Sequence, residues 1–102
     1  MTTVRNYRPR AAGVPWVRKE DYAAFLAICE DAAGFPATWE QFARLTEEAE
    51  RRYEADGTII ERAYIDPETF PDWCAAHGAR VNSQGRMKFA ACAVRKYCTN
   101  QS

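Results

Sequence analysis

The sequence predicts an α+β domain: about four helices and one main β-strand, with the strand paired across a homodimer. Three observations lead there. The stretch "TIIERAYID", Thr58 to Asp66, is the one convincing strand, with apolar and β-branched residues on both faces (Ile59, Ile60, Ala63, Tyr64, Ile65). Most of the remaining chain carries apolar residues at helical spacing. A strand's N–H and C=O groups must find partners, and the chain offers little to pair with this one. A short run, "VPWV", is the candidate within the chain, and it supplies barely two residue pairs.

The 102 residues suit one domain. At this length folding buries about 65% of the unfolded surface, enough for a core with a small margin. Hydrophobic residues make up 47% of the chain and aromatics 13%, which excludes a disordered chain. No apolar run approaches the roughly 20 residues of a membrane span. The start, "MTTVRNYRPRAAGVPW", has no apolar core for a secretory signal. It is Arg-rich like a transit peptide, but Pro9, Gly13 and Pro15 spoil an amphipathic helix there. Cys29, Cys74, Cys92 and Cys98 follow no disulfide framework, so reduced thiols and a cytoplasmic location are expected.

The elements follow in order. Residues 1–15 read as a flexible basic arm, 16–98 as one domain and 99–102 as a frayed tail, with Trp16 as the first anchor. A first helix is expected over Arg18–Ala33, with Tyr22, Phe25, Leu26, Cys29 and Ala33 on one stripe. Gly34 suits a left-handed cap and Pro36 prevents continuation. Thr38-Trp39-Glu40-Gln41 is a capping box that starts a second helix. Its inner stripe is Trp39, Phe42, Thr46, Ala49 and Tyr53. Its outer face offers Glu40–Arg44, Glu47–Arg51 and Glu48–Arg52 as i,i+4 pairs. Gly57 ends it. After the strand, "DPETFPDWCAAHG" predicts a turn at Pro67 and a helix over Phe70–His77, stopped at Gly78. A final helix runs from Asn82 or Ser83 to about Cys98.

Net charge is zero, yet the charges are segregated. Residues 1–19 hold five bases and no acid, residues 20–72 hold fourteen acids against four bases, and residues 73–102 hold five bases and no acid. The ends can satisfy the middle within one molecule or between molecules.

Candidate chemistry is sparse. Cys74-x-x-His77 places two metal ligands on one helix face, with Cys92 as a third candidate. Cys92 and Cys98 sit about 9 Å apart along one helix and cannot both close on one ion. The better reading puts Phe70, Trp73, Cys74 and His77 on one apolar stripe, with no metal and no cofactor. A Cys–His nucleophile needs an open site and a depressed thiol pKa, and an Ala-rich stripe gives neither. One histidine, two serines and no Gly-rich phosphate loop leave no catalytic residue to name.

Residues 70–97 read helix, turn, helix. Arg80, Arg86, Lys88, Arg95 and Lys96 could neutralise phosphates, while Asn82 and Gln84 could reach base edges. Against nucleic acid stand the sequence pI of about 6.6 and the strand that precedes the pair.

The phrases "VPWVRKEDY", "DAAGFPATWEQF", "IERAYIDPETFPDWCAAHG" and "NSQGRMKFAACAV", in that order over residues 14–94, resemble a family of short, uncharacterised bacterial proteins, a domain of unknown function. The resemblance implies a bacterial cytosolic protein and names no catalytic residue. The expected function is a non-enzymatic interaction module: a homodimer, joined through Ile59, Ile60, Arg62, Tyr64 and Ile65, that meets a further protein partner. The alternative is a small DNA-binding regulator. No membrane partner is expected.

Overall fold

Thr58 to Ile65 finds its partner inside its own chain. A computed structural model describes residues 10–101, with side chains to Arg95. Strand β1, Ala11–Trp16, runs parallel to β2, Ile59–Tyr64, in the register Ala11 with Ile59 through Trp16 with Tyr64. Parallel neighbours need a long crossover, and residues 17–58 supply it. The crossover holds a 3-10 turn (Lys19–Asp21), α1 (Tyr22–Ile28), a second 3-10 turn (Ala32–Gly34) and α2 (Trp39–Ala55). Helices α3 (Phe70–Ala76) and α4 (Ser83–Gln101) follow β2. The architecture is α+β, four α-helices with a two-stranded sheet among the described residues.

β1 corrects the sequence reading. Ala11 to Pro15, expected within the flexible arm, form a strand with Trp16 although glycine and proline are weak strand residues. Both suit their places. A side chain at Gly13 would collide with the Ala90 carbonyl and stand 2.8 Å from the Val94 methyl, so glycine lets α4 lie against the sheet. Pro15 sits on the outward phase of the strand, where its missing N–H costs no ladder bond. The arm's residues 1–9 lie outside the described residues. At the other end α4 continues through Gln101, so residues 99–101 are helix where fraying was expected.

The first helix is shorter than its periodicity predicts. α1 stops at Ile28, and Cys29 is extended (φ −80°, ψ 130°). Tertiary contacts override propensity here. Glu30 N–H donates to the Val81 carbonyl at 2.8 Å, and Asp31 takes both arms of the Arg86 guanidinium at 3.0 and 2.6 Å. Gly34 closes a 3-10 turn; the left-handed glycines are Gly57 and Gly78 (φ 85° and 66°), which follow α2 and α3.

The expected Thr38 cap forms at the start of α2. Gln41 N–H donates to Thr38 Oγ1 at 3.2 Å, and Asn82 Oδ1 accepts from Gln84 and Gly85 N–H at the start of α4. The expected i,i+4 pairs on α2 are not among the ion pairs of the described residues; Glu40 instead meets Lys19 at 2.8 Å. Arg80–Glu30, Arg86–Asp31 and Lys19–Glu40 each join a basic end to the acidic middle, so the segregated charges do meet within the chain.

The core gathers Val17, Phe25, Ile65, Phe70 and Cys74, all nearly inaccessible, with an aromatic relay from Trp16 through Phe42 to Tyr22. Overpacking a close approach costs about 1–3 kcal/mol. Gly13→Ala is therefore expected to lower unfolding free energy by about that amount in urea titrations. Gly34→Ala, with nothing within 4 Å of the new methyl, is expected to be neutral or slightly stabilising.

Candidate functional site

In a parallel pair each strand spends alternate residues on its neighbour. Ile59 N–H donates to the Arg10 carbonyl and Ile65 N–H to the Trp16 carbonyl. The register between them puts the main-chain groups of Ile59, Glu61 and Ala63 toward β1, and those of Ala12, Val14 and Trp16 toward β2. Ile60, Arg62 and Tyr64 then present N–H and C=O to the outer edge of β2. Ala11, Gly13 and Pro15 form the outer edge of β1. Among the described residues no main-chain partner meets these outward groups.

This phase sorts the residues expected to join a homodimer. Ile60, Arg62 and Tyr64 do face outward. Ile59 and Ile65 are corrected: their amides belong to β1, because the chain supplies a six-residue neighbour where the sequence suggested two. Ile65 is also 2% exposed and part of the core.

The two edges differ in chemistry. Beside β2 lies a cavity of about 500 Å3, walled by Glu47, Glu50, Arg51, Glu54, Ile60 and Arg62. It is largely ionic. Glu50 is 5% exposed and accepts from Trp16 Nε1 at 2.7 Å. It also takes Arg62 in a two-point grip, Nε at 2.9 Å and one terminal nitrogen at 2.7 Å. The guanidinium lies 4.0 Å above the Trp16 ring, a cation–π contact. One carboxylate of α2 thus ties together both strands. Burial alone would raise the Glu50 pKa; the hydrogen bonds from Arg62 and Trp16 and the charge of Arg62 outweigh it and hold the group below its ordinary value.

Beside β1 lie two cavities, of about 300 and 440 Å3, that share Val14 as a wall. Leu45, Ala49 and Tyr53 come from α2; Met87, Ala90 and Val94 come from α4. Leu45, Tyr53 and Met87 are 57%, 50% and 61% exposed, which makes this an apolar groove open to solvent. Sequence reasoning missed it. Leu45 was the available signal, an apolar residue off the inner stripe of α2.

The expected chemical candidates do not converge. Cys74 is 1% exposed in the core and burial pushes its thiol up, the opposite of an activated nucleophile. His77 is exposed and stacks on Trp73 at 3.9 Å. Cys92 lies on α4 beside Arg95. No cluster of three or more metal-ligating side chains exists among the described residues.

The basic candidates of residues 70–97 are largely engaged. Arg80 Nε bonds both oxygens of Glu30, and Asn82 caps α4 while reaching the same carboxylate. Arg86 is 9% exposed, paired with Asp31 and lying over the Phe35 ring. Lys88 donates to the His77 carbonyl. Gln84, Lys88 and Arg95 are exposed; the side chain of Lys96 lies outside the described residues. The inner side of α4 packs on the sheet.

Removing one partner of a buried ion pair costs about 3–5 kcal/mol, and less where the other partner is partly solvated. Arg62 is 38% exposed, so Glu50→Ala is expected to cost about 2 kcal/mol in chemical denaturation. Asp31 is also held low, chiefly by its hydrogen bonds from Arg86. Both carboxylates contribute stability that is complete above their unfolded values, about 4, and is lost as pH falls through the lower folded values. Acid titration followed by circular dichroism is expected to show this loss, with a shallower slope in Glu50→Gln.

No family model, curated protein or solved structure matches the chain.

Proposed function

We propose that the chain is a non-enzymatic protein-interaction module that acts as a homodimer, using an outer edge of its two-stranded sheet. The observation behind this is the strand phase. Two outer edges carry main-chain donors and acceptors without in-chain partners among the described residues, and a third strand is the usual way to satisfy them. An isolated two-stranded sheet is marginal, and strand addition enlarges it. The resemblance to short bacterial proteins supplies no activity, so the proposal rests on geometry. Free buried thiols at Cys29 and Cys74 agree with a reducing, cytoplasmic setting. The described helices include none long and apolar enough to cross a membrane.

A small DNA-binding regulator is the second reading, favoured by Gln84, Lys88 and Arg95 on the outer side of α4. Phosphates would have to compete with Glu30 and Asp31 for Arg80 and Arg86.

Light scattering across a dilution series is expected to give twice the 11.6 kDa chain mass, falling toward one chain on dilution. A single-chain mass throughout defeats the homodimer. A salt-dependent shift of DNA mobility, abolished by Lys88→Glu with Arg95→Glu, would instead promote the second reading.

A further inference from the structure

We propose that a second copy of the chain docks in the groove along β1, with the two β1 strands antiparallel about Gly13. This rests on the self-association reading above and assigns it a surface. The β1 edge and the β2 edge both offer main chain; apolar area separates them. Three of the five large hydrophobic side chains that are exposed among the described residues, Leu45, Tyr53 and Met87, stand on the β1 groove. The β2 edge is flanked by Glu47, Glu54 and the Glu50–Arg62 pair.

The phase limits the register. Outward residues must face outward residues for antiparallel bonds to form. At β2, centring on Arg62 sets two arginines directly opposite and centring on Glu61 sets two carboxylates opposite, and like charges so placed are destabilising; centring on Ala63 escapes this but leaves the pairing beside the ionic cavity, without an apolar groove. At β1, centring on Gly13 sets glycine against glycine, which exchange both bonds. Ala11 N–H then donates to the second copy's Pro15 carbonyl. Pro15 brings no donor, so one bond per chain is forgone.

The walls suit the same axis. Even-numbered side chains of β1 face α2, as Trp16 does with Phe42 and Glu50, and odd positions face α4, as Gly13 does with Ala90. A two-fold axis normal to the sheet at Gly13 therefore brings α4 beside the second copy's α4, and α2 beside its α2. Met87 is covered on one face, Leu45 and Tyr53 on the other. The groove offers little charge for a foreign partner to read: Arg86 already holds Asp31, and Arg95 stands at one end. The two Ala11 ends near the Arg95 side chains are about 13 Å apart along the strands, beyond the screening length of about 8–10 Å.

The test compares dimer dissociation for the full chain and three variants by sedimentation. Leu45→Glu with Met87→Glu, at exposed positions, is expected to keep the circular dichroism spectrum and to raise the dissociation constant by at least about 100-fold. Leu45→Lys alone is expected to weaken the dimer in the same direction, which guards against misfolding of the double variant. Ile60→Pro removes an outward donor of β2 while keeping its ladder to β1, and is expected to leave the dimer intact. Dimers that survive both groove variants would overturn the assignment to β1 while leaving self-association standing. A wild-type chain that is monomeric throughout would overturn both.

Discussion

The parallel pairing of Ala11–Trp16 with Ile59–Tyr64 is the constraint on which the other features depend. It obliges residues 17–58 to act as a crossover, which puts α2 within reach of both strands. It also fixes which amides are spent inside the sheet and which are left outside. Pro15 is compatible with the fold because its position falls on the outward phase, and Gly13 because α4 crosses there. Shifting the register by one residue would put Pro15 on the bonded phase and move Trp16 off the face it shares with Glu50.

Glu50 fastens this arrangement. A carboxylate at 5% exposure is costly unless its oxygens are satisfied. Here both oxygens bind Arg62 from β2, and one also takes the indole of Trp16 from β1. The cation–π contact between Arg62 and Trp16 closes the triangle. The group that locks the sheet to α2 also makes the β2 side ionic, and leaves the apolar opening to the β1 side. Stability and the chemical difference between the two edges therefore come from the same contacts.

Much of this was legible from residue types with local rules: β2 from its β-branched run, the start of α2 from Thr38 and Gln41, the break at Asp66–Pro67, and Gly57 and Gly78 as stops. What failed was non-local. "AAGVPW" has poor strand propensity and becomes a strand because β2 and α4 flank it. Cys29 leaves the helix because Val81 and Arg86, more than fifty residues away, claim Glu30 and Asp31. Glu50 is one acid among many on α2, and nothing in its neighbourhood marks it as buried. The groove was hidden for the same reason, since its walls come from helices more than thirty residues apart.

Amide hydrogen exchange, resolved residue by residue, measures the strand phase itself. Slow exchange is expected at Ala12, Val14, Trp16, Glu61, Ala63 and Ile65, and fast exchange at Ile60, Arg62 and Tyr64. Protection at Ala11 and Gly13 should rise with protein concentration. Equal protection along the whole of β2, or a concentration-dependent slowing at Ile60, Arg62 and Tyr64 in place of Ala11 and Gly13, would contradict this pattern.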